Sequence, residues 1–266
     1  MIRASMLRAL WTYRGFVLGS VKREFQAKYR NTMLGAAWTV LNPLAMVLVY
    51  TVIFAQVMKS KLPGVDSSLA YSIYLCAGVL TWGLFAEITA RAQSMFLEQA
   101  NLLKKISFPR IALPVIVVLN AGLNFAIIFG IFTAFLIVSG NFPGWVFLAV
   151  IPVLLLQIAF AIGLGLVLGV LNVFFRDVGQ FFAIFIQFWF WLTPIVYPAS
   201  ILPEPVRPLL AWNPMAAIIG AYQDVLVSGR APHWAGLLPA LVCAILLCML
   251  GLQLFRKRAG EMVDEL

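Results

Sequence analysis

The sequence predicts an all-α integral membrane protein with six transmembrane helices. Of its 266 residues, 63% are hydrophobic and only 11% are charged, whereas a soluble domain carries about 25% charged residues. A soluble fold could not keep this much apolar surface from water, but a lipid bilayer removes that constraint. The apolar residues also cluster in six runs, each close to the roughly 20 residues that a helix needs to cross a bilayer.

The six predicted spans divide the chain into three parts, and no hydrophilic stretch is long enough for a separate soluble domain. The spans cover residues 34–57, 71–90, 111–138, 145–171, 181–197 and 234–255. The transmembrane domain is therefore 34–255, between an N-terminal segment at 1–33 and a tail at 256–266. The three small residues at spacing four in the fourth span predict close helix packing, either within one subunit or between two. They are Ala161, Gly165 and Gly169.

The N-terminal segment predicts an amphipathic helix that lies in the cytoplasmic membrane interface, where it could also serve as a simple topology anchor. One face is apolar and another is polar, each with the three- and four-residue spacing of a helix. The apolar face consists of Leu18, Val21, Phe25 and Tyr29, and the polar face of Lys22, Gln26 and Arg30.

The distribution of lysine and arginine predicts the orientation of the chain. With six spans, fifteen of the 19 basic residues fall on the side that holds both termini, and four fall on the other side. Basic residues concentrate on the cytoplasmic side of membrane proteins, so both termini are expected in the cytoplasm. The net charge of +9 is explained by anionic lipid headgroups, and we expect no nucleic-acid binding.

The stretch between the fifth and sixth spans predicts an extracytoplasmic re-entrant hairpin. Residues 215–227 are moderately apolar but too short to cross a membrane. Five prolines interrupt the chain before and at the start of this run, namely Pro198, Pro203, Pro205, Pro208 and Pro214. Irregular backbone at membrane depth must be covered by protein or line a water-filled cavity.

The motifs of catalysis are missing from the sequence. There is no GxxxxGK[ST] loop for ATP, no HExxH and no GxSxG. The three cysteines lie in apolar runs without a CxxC, and His233 is the only histidine, so neither a metal nor a catalytic site is predicted. Glu87 is the one carboxylate well inside a predicted span, and Arg91 four residues later can pair with it, which favours a structural role over a substrate contact.

The chain also shows no energy source of its own, because it lacks the midplane ionisable residues and inverted repeats that are typical of ion-coupled carriers. A transport function would therefore need an energy-supplying partner. Two short cytoplasmic connections could bind such a partner, EQANLLKKISFPR at 98–110 and NVFFRDVG at 172–179.

Five motifs, in this order, span nearly the whole chain. They are NTMLGAAWTVLNPL at 31–44, NLLKKISFPR at 101–110, FFRDVGQF at 174–181, WFWLTPIVYP at 189–198 and WNPMAAIIGAYQDVL at 212–226. Together they resemble the polysaccharide-export permeases of the type-two ABC exporters, which export O-antigen, capsule or teichoic acid. The likeness is greatest to O-antigen permeases of lipopolysaccharide biosynthesis.

This resemblance implies a multi-pass permease of the bacterial inner membrane that forms a homodimer with two cytoplasmic ATP-binding subunits. The chain itself would hold no cofactor and catalyse nothing, since ATP and Mg²⁺ belong to the partner. Its substrate would be a lipid-linked polysaccharide. The expected contacts with the ATPase are Asn101, Lys104, Lys105, Phe108, Pro109, Arg110, Arg176 and Asp177.

Two further sets of residues are expected to meet the substrate or the lipid. Basic residues at the cytoplasmic face could contact lipid phosphate or pyrophosphate, and they are Lys22, Arg23, Lys28, Arg30 and Arg91. Aromatic rings can stack on the C–H faces of sugars, and the candidates for a glycan path are Tyr50, Phe54, Trp82, Phe85, Phe185 and Trp189. The same aromatics are also consistent with ordinary lipid-facing or interfacial positions.

Three alternatives to glycan export stay open at this point. A type-two ABC exporter of a small lipophilic compound would share the same motifs. A membrane enzyme that acts on lipid-linked sugars is disfavoured because no acid and base face a common site. A scaffold subunit without transport would need no path at all.

Overall fold

A computed structural model of the chain describes residues 11–29, 37–53, 69–105 and 110–265. These residues form helices and turns and contain no strand, which confirms the all-α prediction for this part of the chain. The helices are α1 (Arg14–Tyr29), α2 (Trp38–Tyr50), α3 (Ala70–Glu98), α4 (Ala100–Lys105), α5 (Ala112–Val138), α6 (Val150–Phe174), α7 (Asp177–Trp191), α8 (Pro214–Leu226), α9 (Leu238–Arg258) and α10 (Glu261–Glu265).

Four helical segments of the described chain are long and apolar enough to cross a membrane. They are Ala70–Glu98, Ala112–Val138, Gly144–Phe174 and Trp234–Arg258, with 29, 27, 31 and 25 residues. They match the second, third, fourth and sixth predicted spans. The helix at the second span continues to Glu98, past the predicted end at residue 90. Residues beyond the apolar run can still form helix, because the backbone hydrogen bonds of a helix do not depend on apolar side chains.

The first and fifth predicted spans contain shorter helices in the described part of the chain, and residues 34–36 and 54–57 of the first span lie outside it. α2 has 13 residues and leads into a π turn at 51–53, and α7 has 15 residues. The prediction carried the fifth span to residue 197, but the chain leaves the helix after Trp191, just before Pro194. Proline favours an extended conformation in the residue before it, which accounts for the early end.

The core of the bundle is built around α6, which packs against α3 on one side and α9 on the other. Its small residues permit this close approach. A Cβ placed on Gly165 or Gly169 would lie 2.5 Å from the Cβ or the carbonyl oxygen of Ala92 in α3, and one on Gly163 would lie 2.8 Å from the backbone nitrogen of Cys248 in α9. The small-residue pattern of the fourth span therefore serves packing within one chain.

The chain between α7 and α8 is held against α3 by two tyrosines. The Tyr74 hydroxyl lies 2.9 Å from the carbonyl oxygens of both Pro194 and Tyr197, and Tyr71 donates to the Val196 carbonyl at 2.7 Å. The α8 helix that follows is largely buried and packs against α3, α6 and α9. The stretch that the sequence predicts to be a hairpin thus contains a helix that packs inside the bundle.

Candidate functional site

The two predicted ATPase-binding connections lie at the same end of the bundle. α3 and α6 both end there, α4 follows α3 directly, and α7 begins at Asp177 after the turn that follows α6. Arg176 and Asp177 are exposed in this turn. The side chain of Asn172, which the sequence did not single out, joins the second connection to α3. It donates to the Gln93 carbonyl in α3 at 3.2 Å and accepts from the Gly179 backbone N–H at 3.1 Å.

The α4 segment presents its polar residues outward. Asn101 and Lys104 are exposed, whereas Leu103 is buried. Arg110, predicted to contact the ATPase, donates from its guanidinium to the carbonyl oxygen of Ala259 at the end of the last long helix. Phe108 and Pro109 lie outside the described residues, as does the side chain of Lys105.

Next to the turn at Arg176 is an open groove of about 480 Å³. It runs between the end of α3 and the start of α7, and its floor includes the Asn172 amide. Its lining residues are Gln93, Leu97, Asn172, Arg176, Gly179, Gln180 and Ala183. This groove between α3 and the second connection has room for a side chain of a partner protein.

The predicted phosphate-binding residues are in different environments. Lys22 and Arg23 on α1 are exposed, and Arg23 donates to Ser20 on its own helix at 2.9 Å. Arg91 contacts two carboxylates, an ion pair with Glu24 of α1 and one with Glu87 at 3.7 Å. The predicted pairing of Glu87 with Arg91 is confirmed, and Arg91 is already neutralised within the chain. Arg30 and the side chain of Lys28 lie outside the described residues.

A polar cavity of about 220 Å³ lies beside Arg91, between α1 and the ends of α3 and α5. Its charged lining residues balance, with Arg23 and Arg91 opposed by Glu24 and Glu98. Its other walls are apolar side chains of α3 and α5, such as Met95 and Val117. The cavity is therefore suited to a group that combines polar and apolar parts rather than to a multiply charged anion.

The four predicted glycan-path aromatics whose side chains the structure describes form one cluster, and their exposure differs. The Phe85 ring is fully buried and Trp82 is buried, and both meet the edge of Trp189, with ring centroids 5.2 and 6.1 Å away. Phe185 is exposed on α7. In a single chain, Trp82 and Phe85 thus act as core side chains, because α6 and α7 cover them. Phe54 and the side chain of Tyr50 lie outside the described residues.

A second cavity, of about 610 Å³, opens between residues 194–200 and α8. Tyr74, Gln223 and Asp224 supply its polar groups, and Gln223 donates to the Pro194 carbonyl at 3.2 Å. Partial burial raises the pKa of the Asp224 carboxyl, against the opposing effect of Arg230 and then His233. Gln223 and Asp224 stand out in the sequence as polar residues of the run 215–227, but no local pattern joins them to the distant Tyr74.

The residues that complete the Arg91 environment were also missed. Glu24 lies 67 positions before Arg91 in the chain, and no local pattern joins the two. Asn120 and Asn124 in α5 do carry a signal, because two asparagines at spacing four in an apolar helix place two hydrogen-bonding groups on one face. Glu87 and Arg91 have the same spacing on the facing helix.

The comparison with protein families matches residues 17–227 to the model described as ABC-2 type transporter. This range includes most of α1, all of α3, the aromatic cluster and α8. The chain belongs to the ABC-2 type transporter family. A family of transporters fits a chain that works as a permease rather than as an enzyme.

Individual relatives cover almost the whole of this ABC-2 chain. It is 31% identical over 263 residues to the O-antigen export system permease protein RfbA of Myxococcus xanthus, covering 98% of this chain and 99% of that one. It is 30% identical over 236 residues to the protein of the same name in Klebsiella pneumoniae, covering 88% of each. The polysialic acid transport protein KpsM of Escherichia coli is 20% identical over 244 residues, covering 91% of this chain and 93% of KpsM.

Proposed function

We propose that this chain is the membrane permease of an ATP-driven exporter that moves a lipid-linked polysaccharide, of the O-antigen type, across the bacterial inner membrane. The observation that carries the proposal is the end-to-end similarity to an O-antigen export permease, at 31% identity over 98% of the chain. Similarity at this level includes the connections and the hairpin as well as the spans. The apolar helices suit a membrane location.

The proposed topology has six spans, with both termini in the cytoplasm. α2 and α7 would be the two further spans, and both are apolar helices at the positions that the sequence predicts. The excess of basic residues at the end where α3, α6 and α9 meet supports a cytoplasmic location for that end. α1 would lie in the cytoplasmic interface, where exposed Trp11 and Leu18 can enter the lipid. The hairpin containing α8 would re-enter the membrane from the other side.

The proposed assembly is a homodimer with two ATP-binding subunits, which would hold the ATP and Mg²⁺. An exposed aromatic face on α7 supports self-association, because Phe181, Phe185 and Phe188 recur there at helical spacing. Lys104 and Arg176 are exposed at the end that would meet the ATPase, with Asn101 and Asp177 beside them. The groove at Arg176 would receive a side chain of that subunit.

The substrate contacts follow from charge and exposure. Lys22 and Arg23 are exposed on α1 and are the described cations best placed to meet a lipid pyrophosphate, together with Lys28 and Arg30 by sequence. Arg91, which already pairs with two carboxylates, would assist from inside. Phe185 and Trp189 would face the glycan where two chains meet, with Trp82 and Phe85 supporting them from the core.

The test is the turnover of ATP by the chain copurified with its ATPase in lipid nanodiscs. We expect a stable complex of two permeases and two ATPases whose turnover falls about fivefold in Lys104→Ala, because a truncated interface charge costs about 1 kcal/mol. Lys257→Ala is the matched control, since Lys257 is exposed at the same end of the bundle but outside both connections.

Two results would contradict the proposal. A chain that binds no ATPase but still modifies lipid-linked sugar would be an enzyme. A complex whose turnover responds to small lipophilic compounds and not to lipid-linked glycan would be an exporter of another class.

A further inference from the structure

A charged cluster joins α1 to the long helices α3 and α5. Its three ionised side chains come from α1 and α3. The Arg91 guanidinium of α3 pairs with Glu24 of α1 through one terminal nitrogen. Its other terminal nitrogen lies 3.7 Å from Glu87, one helical turn away on α3 itself. The second distance is an ion pair but longer than a hydrogen bond. Arg91 is therefore hydrogen-bonded to Glu24 of α1, and it makes only a longer ion pair with Glu87.

Two asparagines of α5 hold the carboxylates at matching positions. Asn120 donates to Glu24 at 2.5 Å, and Asn124 donates to Glu87 at 3.0 Å. These asparagines are four residues apart, as are Glu87 and Arg91 on the facing helix, so the two pairs lie one turn apart. α3 and α5 together thus form a receptor for the Glu24 carboxylate, and a second carboxylate is already fixed beside it.

The two carboxylates compete for one guanidinium. If α1 moved away, Arg91 would lose Glu24, and Glu87 at spacing four is in the position to take both guanidinium nitrogens. An uncompensated charge at the membrane boundary is costly, and this exchange avoids it. Glu24 would leave with α1 toward the headgroup region, where it can be hydrated.

We propose that Glu24, Arg91 and Glu87 form an exchangeable clasp that lets α1 dock on the bundle and release from it. In the docked state Arg91 binds Glu24, and in the released state it binds Glu87. Glu87 is then the residue that makes release possible rather than a passive partner. All three side chains are partly exposed, with 37%, 38% and 26% of the Arg91, Glu24 and Glu87 side chains accessible. Exchange therefore does not require opening of the core.

The packing of α1 as a whole also suits a helix that can dock and release. Val17 and Val21 are buried against the bundle, whereas Leu18 and Trp11 are exposed. The buried surface is thus small and includes the polar Ser20, so the ionic contact of Glu24 forms a large part of what holds α1 in place. A helix held in this manner is docked by charge and can be released by a competing charge.

The test measures how often α1 leaves its docked position. Val17→Cys places a thiol on the buried face of α1, in a chain whose Cys76, Cys243 and Cys248 are replaced by alanine, and its rate of maleimide modification reports release. We expect Glu24→Gln to raise the rate about tenfold, because one charged contact is lost. Glu87→Gln should lower the rate about threefold, since Arg91 then has no competing partner and Asn124 keeps an oxygen to bind.

Two controls separate the clasp from a general loss of structure. Glu98→Gln makes the same chemical change in the wall of the same cavity, but the Glu98 carboxylate accepts from Ser94 on its own helix, so its rate should stay unchanged. Glu24→Arg should raise the rate through repulsion by Arg91, and the swap Glu24→Arg with Arg91→Glu should restore slow modification.

Equal acceleration by Glu24→Gln and Glu87→Gln would overturn the exchange and leave Glu87 as a simple support. Unchanged rates in all variants would show that the ionic contacts do not hold α1. Neither the ATPase nor a substrate is needed for these measurements, so their outcome is separate from that of the proposed function.

Discussion

Gly169 determines how closely α6 approaches α3. A Cβ at this position would lie 2.5 Å from the carbonyl oxygen of Ala92, which belongs to helix backbone and cannot rotate away. Any larger residue must therefore separate the two helices. Small residues have this role in membrane bundles because lipid and protein are equally apolar, so that close packing replaces the hydrophobic effect.

We predict that Gly169→Ala lowers the free energy of unfolding by about 1–3 kcal/mol, the usual cost of overpacking a tight site. The measurement is thermal unfolding of the purified chain in detergent. Gly130→Ala in α5 is the control, because a Cβ there meets no atom within 4 Å, and it should be neutral or slightly stabilising. Equal losses for the two variants would contradict the packing explanation.

At the scale of elements, the C-terminal tail is part of the fold rather than a free end. α10 packs against both α4 and α6, and Met262 within it is buried. Arg110 at the end of the connection after α3 donates to the Ala259 carbonyl, and Phe96 stacks on Phe255 with the ring centroids 5.5 Å apart. The tail thus supports the segment that the sequence assigns to ATPase contact.

We predict that Met262→Ala loosens this segment. Loss of a buried methionine side chain costs about 2 kcal/mol, so tryptic cleavage after Lys104 should become about thirtyfold faster. The exposed Glu265 provides the control, and Glu265→Ala should be cut at the original rate. A Met262→Ala chain as resistant as the unchanged protein would mean that the tail does not support α4.

The membrane topology of the whole molecule depends on whether α2 and α7 cross the bilayer. If they do, the chain crosses six times and both termini lie on the same side. We predict that a fluorescent protein fused after residue 266 is bright in the cytoplasm, and that alkaline phosphatase inserted at Gly140, in the turn after α5, is active outside it. Phosphatase inserted at Arg176 should be inactive. An active enzyme at Arg176 would reverse the orientation that the basic residues predict.

At this scale the sequence was sufficient for the class of fold and for the family likeness. Hydropathy located the four long helices, because crossing a bilayer needs a long apolar run whatever packs beside it. The pair of Glu87 and Arg91 was also predictable, since spacing four on one helix brings two side chains together without any help from the rest of the chain. Helix ends were less accessible, as the length of α3 and the early end of α7 show.

What one helix does alone was therefore determined by the sequence: its existence, its capacity to cross a bilayer and its contacts between neighbouring turns. Only the tertiary structure decided which residue meets which across helices, such as Glu24 with Arg91, Trp82 with Trp189, and Gly169 with Ala92. The reason is physical. In a membrane protein the faces toward lipid and toward protein are both apolar, so periodicity alone does not reveal how each helix is rotated or which neighbour it packs against.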